Sequence, residues 1–314
     1  MKKMIYDSRG KVVTISVRIS KRAPSMRVFV LGGTGSIGSA VVQVLQERGH
    51  NVLALGRSSE ARQSLREAGA TPVVGDLRGP MKWVDIVDNV DGVIHVAAAW
   101  GSEMGDVDRH AVEVLLKRMP RNDPVKFFVY TGGCWLYGGT GDVVATERTP
   151  LNPIASFAWA IPTMQMVLSA SHIRGMVIHP AMVYERNGGV FRHFFEDAEQ
   201  LGHIRVIGGE HVRWPLVHRM DLARLYVLMI EKGKQGDVYN AAAIEGLSVG
   251  IIARTIGSRL GINAKPVACH VENVVSSLGS WAEGYALDQQ MSGRKAVAEL
   301  GWRPEHTNVI SDIA

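Results

Sequence analysis

The chain has 314 residues, 46% hydrophobic and 21% charged, enough material for a large buried core. No apolar run approaches the roughly 18 residues of a membrane span. Two cysteines, Cys134 and Cys269, are too few for a disulfide scaffold and lack metal-site spacing, so a cytoplasmic protein with neither metal nor membrane partner is expected.

The net charge of +5 is concentrated at one end. Residues 1–25 hold seven Lys/Arg and one Asp, which leaves the remainder close to neutral and offers nucleic acid no basic face. This stretch lacks the apolar core of a signal peptide and reads as a basic extension outside the core. Within it "KVVTISVRIS" partly alternates, like a strand that adds to a sheet edge.

From Arg27 the pattern is regular. "RVFVL" reads as a buried strand, followed by a glycine-rich turn and an amphipathic helix from Ile37 to about Arg48. Strand "NVLALG", helix "SEARQSLREAG" and strand "TPVVGDL" come next. Strand "VDGVIHVAAAW", helix "DVDRHAVEVLLKRM" and strand "VKFFVYTGG" follow, then a helix near residues 155–172 and strand "GMVIHPAMVY". Such alternation specifies an α/β fold, a Rossmann-type doubly wound parallel sheet with helices on both faces. After residue 185 shorter strands, among them "GDVYNAA", alternate with helices. Residues 26–185 are therefore expected to form a dinucleotide-binding domain, with 186–314 mainly a smaller C-terminal substrate lobe packed on it.

"VFVLGGTGSIGSAVV" sets Gly32, Gly35 and Gly38 between that first strand and helix. The first glycine permits a tight turn and the second lets a pyrophosphate approach the backbone. The third lets helix and strand pack closely, while the helix N-terminus offers free N–H groups. Thr34, Ser36 and Ile37 share this loop. An acidic residue ending the second strand would select NAD by holding its ribose hydroxyls. Here "GRSS" places Arg57, Ser58 and Ser59 instead, a guanidinium and hydroxyls suited to a 2′-phosphate. NADP(H) is expected over NAD(H), which the loop also accommodates.

These residues resemble the extended short-chain dehydrogenase/reductase superfamily, of the NAD-dependent epimerase/dehydratase kind, from about Arg27 to Asp312. "GGTGSIG" is similar to its cofactor loop, and Asp76–Leu77 to its adenine-contacting pair. "HVAAA", with Ala97 and Ala98, is similar to its fourth-strand motif. "IHPAMVYERNGG" matches its sixth strand, with His179 where arginine is usual, and "RWPLVHRMDLARLYVLMIEKG" and "GWRP" match its C-terminal motifs. The resemblance implies a small-molecule substrate, a cofactor contact at Thr131, and a homodimer built on the helices near 106–118 and 154–171.

It also implies catalysts that this chain lacks. The family's serine or threonine falls four residues before the tyrosine of "YG", which here is Gly133 in "YTGGCWLYG". Its Tyr-x-x-x-Lys falls on Phe157 and Ile161, or on Trp159 and Thr163, in "NPIASFAWAIPTMQMVLSA", which contains neither residue type. Any proton must come from elsewhere or from the substrate. Tyr137, Cys134 and Tyr184 are the candidates, with His95 and His179 reading more readily as core histidines.

Trp100, Gly133, Cys134, Trp135, Met182 and Arg186 follow strand ends on the side where such sheets bind ligands. Arg186 or Arg213 would clamp a phosphate or carboxylate, and Trp100 or Trp135 would stack on a ring. Two functions fit: an oxidoreductase or epimerase-type enzyme with a non-standard proton route, or a non-catalytic NADP(H)-binding redox sensor or regulator.

Overall fold

Strand β1 (Arg27–Leu31) is fully buried after its first residue, as expected of a strand covered on both faces. Residues 2–6, 12–16, 24–120, 125–262 and 265–313 are described in the computed structural model. From β1 the chain passes through helix α1 (Ser36–Glu47) to β2 (Asn51–Gly56), and through α2 (Ser59–Glu67) to β3 (Thr71–Val74). Ala40, Val41, Val44 and Leu45 form the stripe by which α1 is buried.

After β4 (Gly92–His95) come α3 (Met104–Arg118), β5 (Phe127–Thr131), α4 (Ala160–Ser169) and β6 (Arg174–Pro180). Strands β1 to β6 lie in the order 3-2-1-4-5-6 and are all parallel. That is the dinucleotide-binding order, with the strand sequence reversing between β1 and β4.

Two sequence expectations change here. "GMVIHPAMVY" is not one strand: it breaks at Ala181 into β6 and β7 (Met182–Glu185), and β7 leaves the large sheet. It pairs in parallel with β8 (Arg213–His218), which itself pairs antiparallel with Ile244–Ser248. Conversely "GDVYNAA" supplies β9 (Val238–Ala241), which pairs with β6 and completes a seven-stranded sheet. Residue 185 is thus no clean boundary. The two sheets exchange strands, and Arg219–Lys232 packs on α1.

Residues 2–6 and 12–16 pair antiparallel with each other in a separate two-stranded sheet and do not extend an edge of the large one. The remainder of residues 1–25, apart from 24 and 25, lies outside the described residues. Among the described residues no helix is long and apolar enough to cross a membrane.

Candidate functional site

A cleft of about 680 Å³ opens over the C-terminal ends of the parallel strands. Its first wall is backbone. Gly32 has φ +90°, and a Cβ there would stand 2.7 Å from the Ala97 nitrogen, so the turn lies directly on the strand end that follows β4. A Cβ on Gly38 would stand 2.0 Å from the Gly32 carbonyl oxygen, so only glycine lets α1 begin so close to the turn. The Gly35 N–H donates to the Gly32 carbonyl at 3.0 Å. No side chain caps α1 at Gly35, which leaves its first-turn N–H groups for an anion in the cleft. Thr34, Ser36 and Ile37 line the same wall.

Arg57 follows β2 at the cleft edge, and its guanidinium has no ion-pair partner among the described residues. Ser58 stands outside the lining. Its Oγ accepts from the Ala61 N–H at 3.1 Å and caps α2, and its hydroxyl also hydrogen-bonds the Glu60 carboxylate. Asp76 and Leu77 line the cleft after β3. Asp76 is fixed by the Arg78 N–H donating to Oδ1 at 2.8 Å and the Trp83 indole donating to its carbonyl at 2.8 Å. Ala97 and Ala98 form the floor beside Gly32. An uncapped helix start, a glycine cradle and a free guanidinium together fit a dinucleotide phosphate.

The other end is built from side chains. Trp135 packs against Phe157 and Tyr285, with ring centroids 5.3 and 5.4 Å away, and all three line the cleft with Trp159 and Met182. Trp281 bridges from Trp135 to Trp100, which lies at the mouth and is 60% exposed. Gly133 has an extended backbone, and a Cβ there would meet nothing within 4 Å, so this position faces open cleft.

The proposed proton sources are committed elsewhere. The Tyr137 hydroxyl donates to Asn240 Oδ1 at 2.8 Å, is buried, and lies outside the cleft lining; burial raises its pKa. Tyr184 is likewise outside the lining and donates to Asp312 Oδ2 at 2.6 Å, its pKa raised first by burial and then by that carboxylate. Cys134 does line the cleft, but burial pushes its thiol up to about 12, so it stays protonated near neutrality. Thr131 lines the cleft with its Oγ1 donating to the His95 carbonyl at 2.6 Å and sharing a hydrogen bond with the Tyr226 hydroxyl at 2.6 Å. His179 is buried, accepts from the Gly133 N–H at 3.3 Å, and is driven down to about 4 by desolvation.

Two of the expected anion clamps are not at the cleft. Arg213 is held by Asp288 at 2.9 and 2.7 Å and by Asp142 at 3.0 Å, and it is absent from the lining. Arg186 is also outside it.

The structure adds a cluster that sequence reasoning missed. Asp108 on α3 is buried at the cleft floor, where the Tyr130 hydroxyl donates to Oδ2 at 2.7 Å and His95 Nε2 stands 3.0 Å from Oδ1. His95 Nδ1 accepts the Ala97 N–H at 3.3 Å, which leaves the imidazole proton on Nε2, facing the carboxylate. A polar residue on the inner face of "DVDRHAVEVLLKRM" was the available signal. Trp281 and Tyr285 were missed too; their spacing of four in "SWAEGY" is the trace they leave.

Residues 28–242 match the NAD dependent epimerase/dehydratase family. The chain belongs to this family. It is 30% identical over 296 residues to an uncharacterized protein of Schizosaccharomyces pombe, covering 92% of this chain and 98% of the relative. Among solved structures, a UDP-glucose 4-epimerase of Thermotoga maritima with UDP-glucose superimposes with a TM-score of 0.78 at 21% identity, covering 92% of this chain and 96% of that one. A human epimerase family protein with NADPH gives a TM-score of 0.73 at 20% identity, with coverage of 92% and 98%. These two likenesses establish the shared fold.

Proposed function

We propose that the protein is an NADP(H)-dependent oxidoreductase or epimerase-type enzyme acting on a small carbonyl, hydroxyl or sugar-type compound. The observation that carries the cofactor choice is Arg57, an unpaired guanidinium at the end of β2 where an acidic residue would select NAD. A nicotinamide dinucleotide held there supplies or accepts a hydride. The turn of Gly32, Gly35 and Gly38 brings the first-turn N–H groups of α1 to its pyrophosphate, Arg57 meets its 2′-phosphate, and Asp76 and Leu77 bound the adenine. The proton is assigned to the substrate itself or to the Tyr130–Asp108–His95 cluster on the floor, where burial and the Asp108 carboxylate raise the Tyr130 pKa, since Thr131 and Tyr137 are otherwise engaged and burial holds the Cys134 thiol protonated. The test is NADPH and NADH binding to the purified protein, followed by NADPH oxidation with a panel of ketones, enones and sugar nucleotides. NADH binding as tight as NADPH overturns the cofactor choice.

The engagement of every expected proton donor also favours a second function, a non-catalytic NADP(H)-binding regulator that reports redox state. It requires tight cofactor binding, no turnover across the panel, and a partner whose affinity differs between NADPH and NADP⁺. For either function we propose a cytoplasmic homodimer, joined through α3 and α4. These helices pack together, and α4 carries no charged residue while exposing Pro162, Gln165 and Ser169.

A further inference from the structure

Cationic side chains line the cleft at one end only. Its basic lining residues, Arg57 and Arg78, both follow strands on the β1–β2–β3 side of the sheet. Past β5 and β6, on the other side, Trp135, Phe157, Trp159, Met182 and Tyr285 line it without a formal charge. Arg213, one of the two arginines expected to clamp a phosphate or carboxylate, is neutralised by two aspartates and lies outside the lining. An anion carried into this end would shed its water and find no cation to replace it. It would also approach Asp108, whose oxygens already face Tyr130 and His95 and whose charge repels it.

Aromatic surface replaces the missing cations. Phe157 and Tyr285 flank the Trp135 ring, inclined to it by 51° and 81°, and Trp281 extends this aromatic wall to the exposed ring of Trp100. In the same cleft the glycine at 133 leaves space that a side chain would fill. Broad π faces beside an unfilled gap suit a thin, flat ligand better than a hydrated sugar.

We propose that this end of the cleft binds a flat, uncharged ring compound bearing a carbonyl or hydroxyl group, stacked on the Trp135–Phe157–Tyr285 wall, and discriminates against nucleoside diphosphate sugars and carboxylates. The proposal rests on the oxidoreductase assignment only in placing the cofactor at the opposite, glycine-lined end. It fixes the substrate class within the broader range given above.

The test is calorimetric titration of the protein, with and without NADP⁺, using 2-acetonaphthone, 2-naphthoate and UDP-glucose as probes. The neutral ketone is expected to bind at least roughly tenfold more tightly than either anion, since the anions lose hydration without gaining a partner. Trp135→Phe should keep most of that affinity, and Trp135→Ala should lose roughly threefold to tenfold of it. Trp100→Ala serves as the second variant, because an exposed ring can be removed without opening the core, and it should weaken the ketone measurably. Anion binding as tight as ketone binding overturns the proposal. So does failure to bind the ketone at millimolar concentration, or ketone affinity unchanged in both alanine variants. Ketone binding without NADPH oxidation supports the aromatic site while counting against the oxidoreductase assignment. NADPH-dependent turnover confined to sugar nucleotides supports the oxidoreductase and overturns the aromatic site.

Discussion

The two ends of the cleft are built by different means. The cofactor end is made chiefly of backbone from one β–α–β unit: a left-handed glycine at 32, a helix start packed on it at 38, and an arginine at the end of the next strand. The substrate end is made of side chains from segments far apart, with Trp135 after β5, Phe157 before α4, Met182 on β7 and Tyr285 in the C-terminal lobe. Backbone recognition needs glycine at fixed offsets and so leaves a local mark in sequence. Side-chain recognition leaves almost none until the chain has folded.

The sharpest way to break this comparison is to add one carbon at the cofactor end. Gly38→Ala puts a Cβ against a backbone oxygen of the turn, which cannot swing aside as a side chain would. Destabilisation of about 3 kcal/mol is expected from the overpacking, together with loss of cofactor binding, checked by chemical denaturation and NADPH titration. Native stability and binding in this variant would show that the turn is soft and that backbone does not set the site.

Arg57→Asp leaves the glycine loop intact and changes only its charge. A charged hydrogen bond contributes about 1.5–3 kcal/mol, or roughly tenfold to a hundredfold in affinity. NADPH binding is expected to weaken by that factor while NADH binding changes little, measured by parallel titrations.

Such contrasts explain how much was legible before folding. The six parallel strands β1 to β6 announce themselves because each is an apolar run between turn residues, and Gly32, Gly35 and Gly38 because their spacing serves one local turn. The break at Ala181 was hidden, since buried residues run from β6 through Ala181 to Met182 without a turn residue of the usual kind between the strands. The fate of Arg213 was hidden for another reason. Asp142 and Asp288 lie 71 and 75 residues away, and nothing local marks them as its partners. Asp108 looked like one more helix polar residue until β4 and β5 brought His95 and Tyr130 to it.

The substrate end also carries a shifted titration. His179, buried beneath Gly133, is held down to about 4 by desolvation, against 6.5 for a free imidazole. Between those values the unfolded chain binds the proton that the folded one excludes. The stability associated with a neutral His179 is therefore complete above about pH 6.5 and is lost as pH falls toward 4. About 2 kcal/mol of loss from this group is expected by pH 5, seen as a lower denaturation midpoint than at pH 7. His179→Asn keeps an acceptor for the Gly133 N–H without titrating, so it should flatten part of that slope. An unchanged slope would place the acid sensitivity elsewhere.

The smallest expected effect is at Gly133, where the two ends meet. Gly133 lines the cleft and carries no side chain. Its φ of 176° is ordinary extended backbone, and an added Cβ would meet no atom within 4 Å. Gly133→Ser should therefore change stability by less than about 0.5 kcal/mol and leave NADPH affinity unaltered, in contrast to Gly38→Ala a few residues' depth across the same cleft. It should also leave turnover within a few-fold of the parent. A serine hydroxyl would orient a substrate oxygen, but it leaves the proposed proton source, the floor cluster or the substrate itself, as it was. Denaturation and NADPH-oxidation assays on this one variant check both halves. A rise in turnover of roughly a hundredfold would mean that orientation of the substrate oxygen, and not proton delivery, limits the parent.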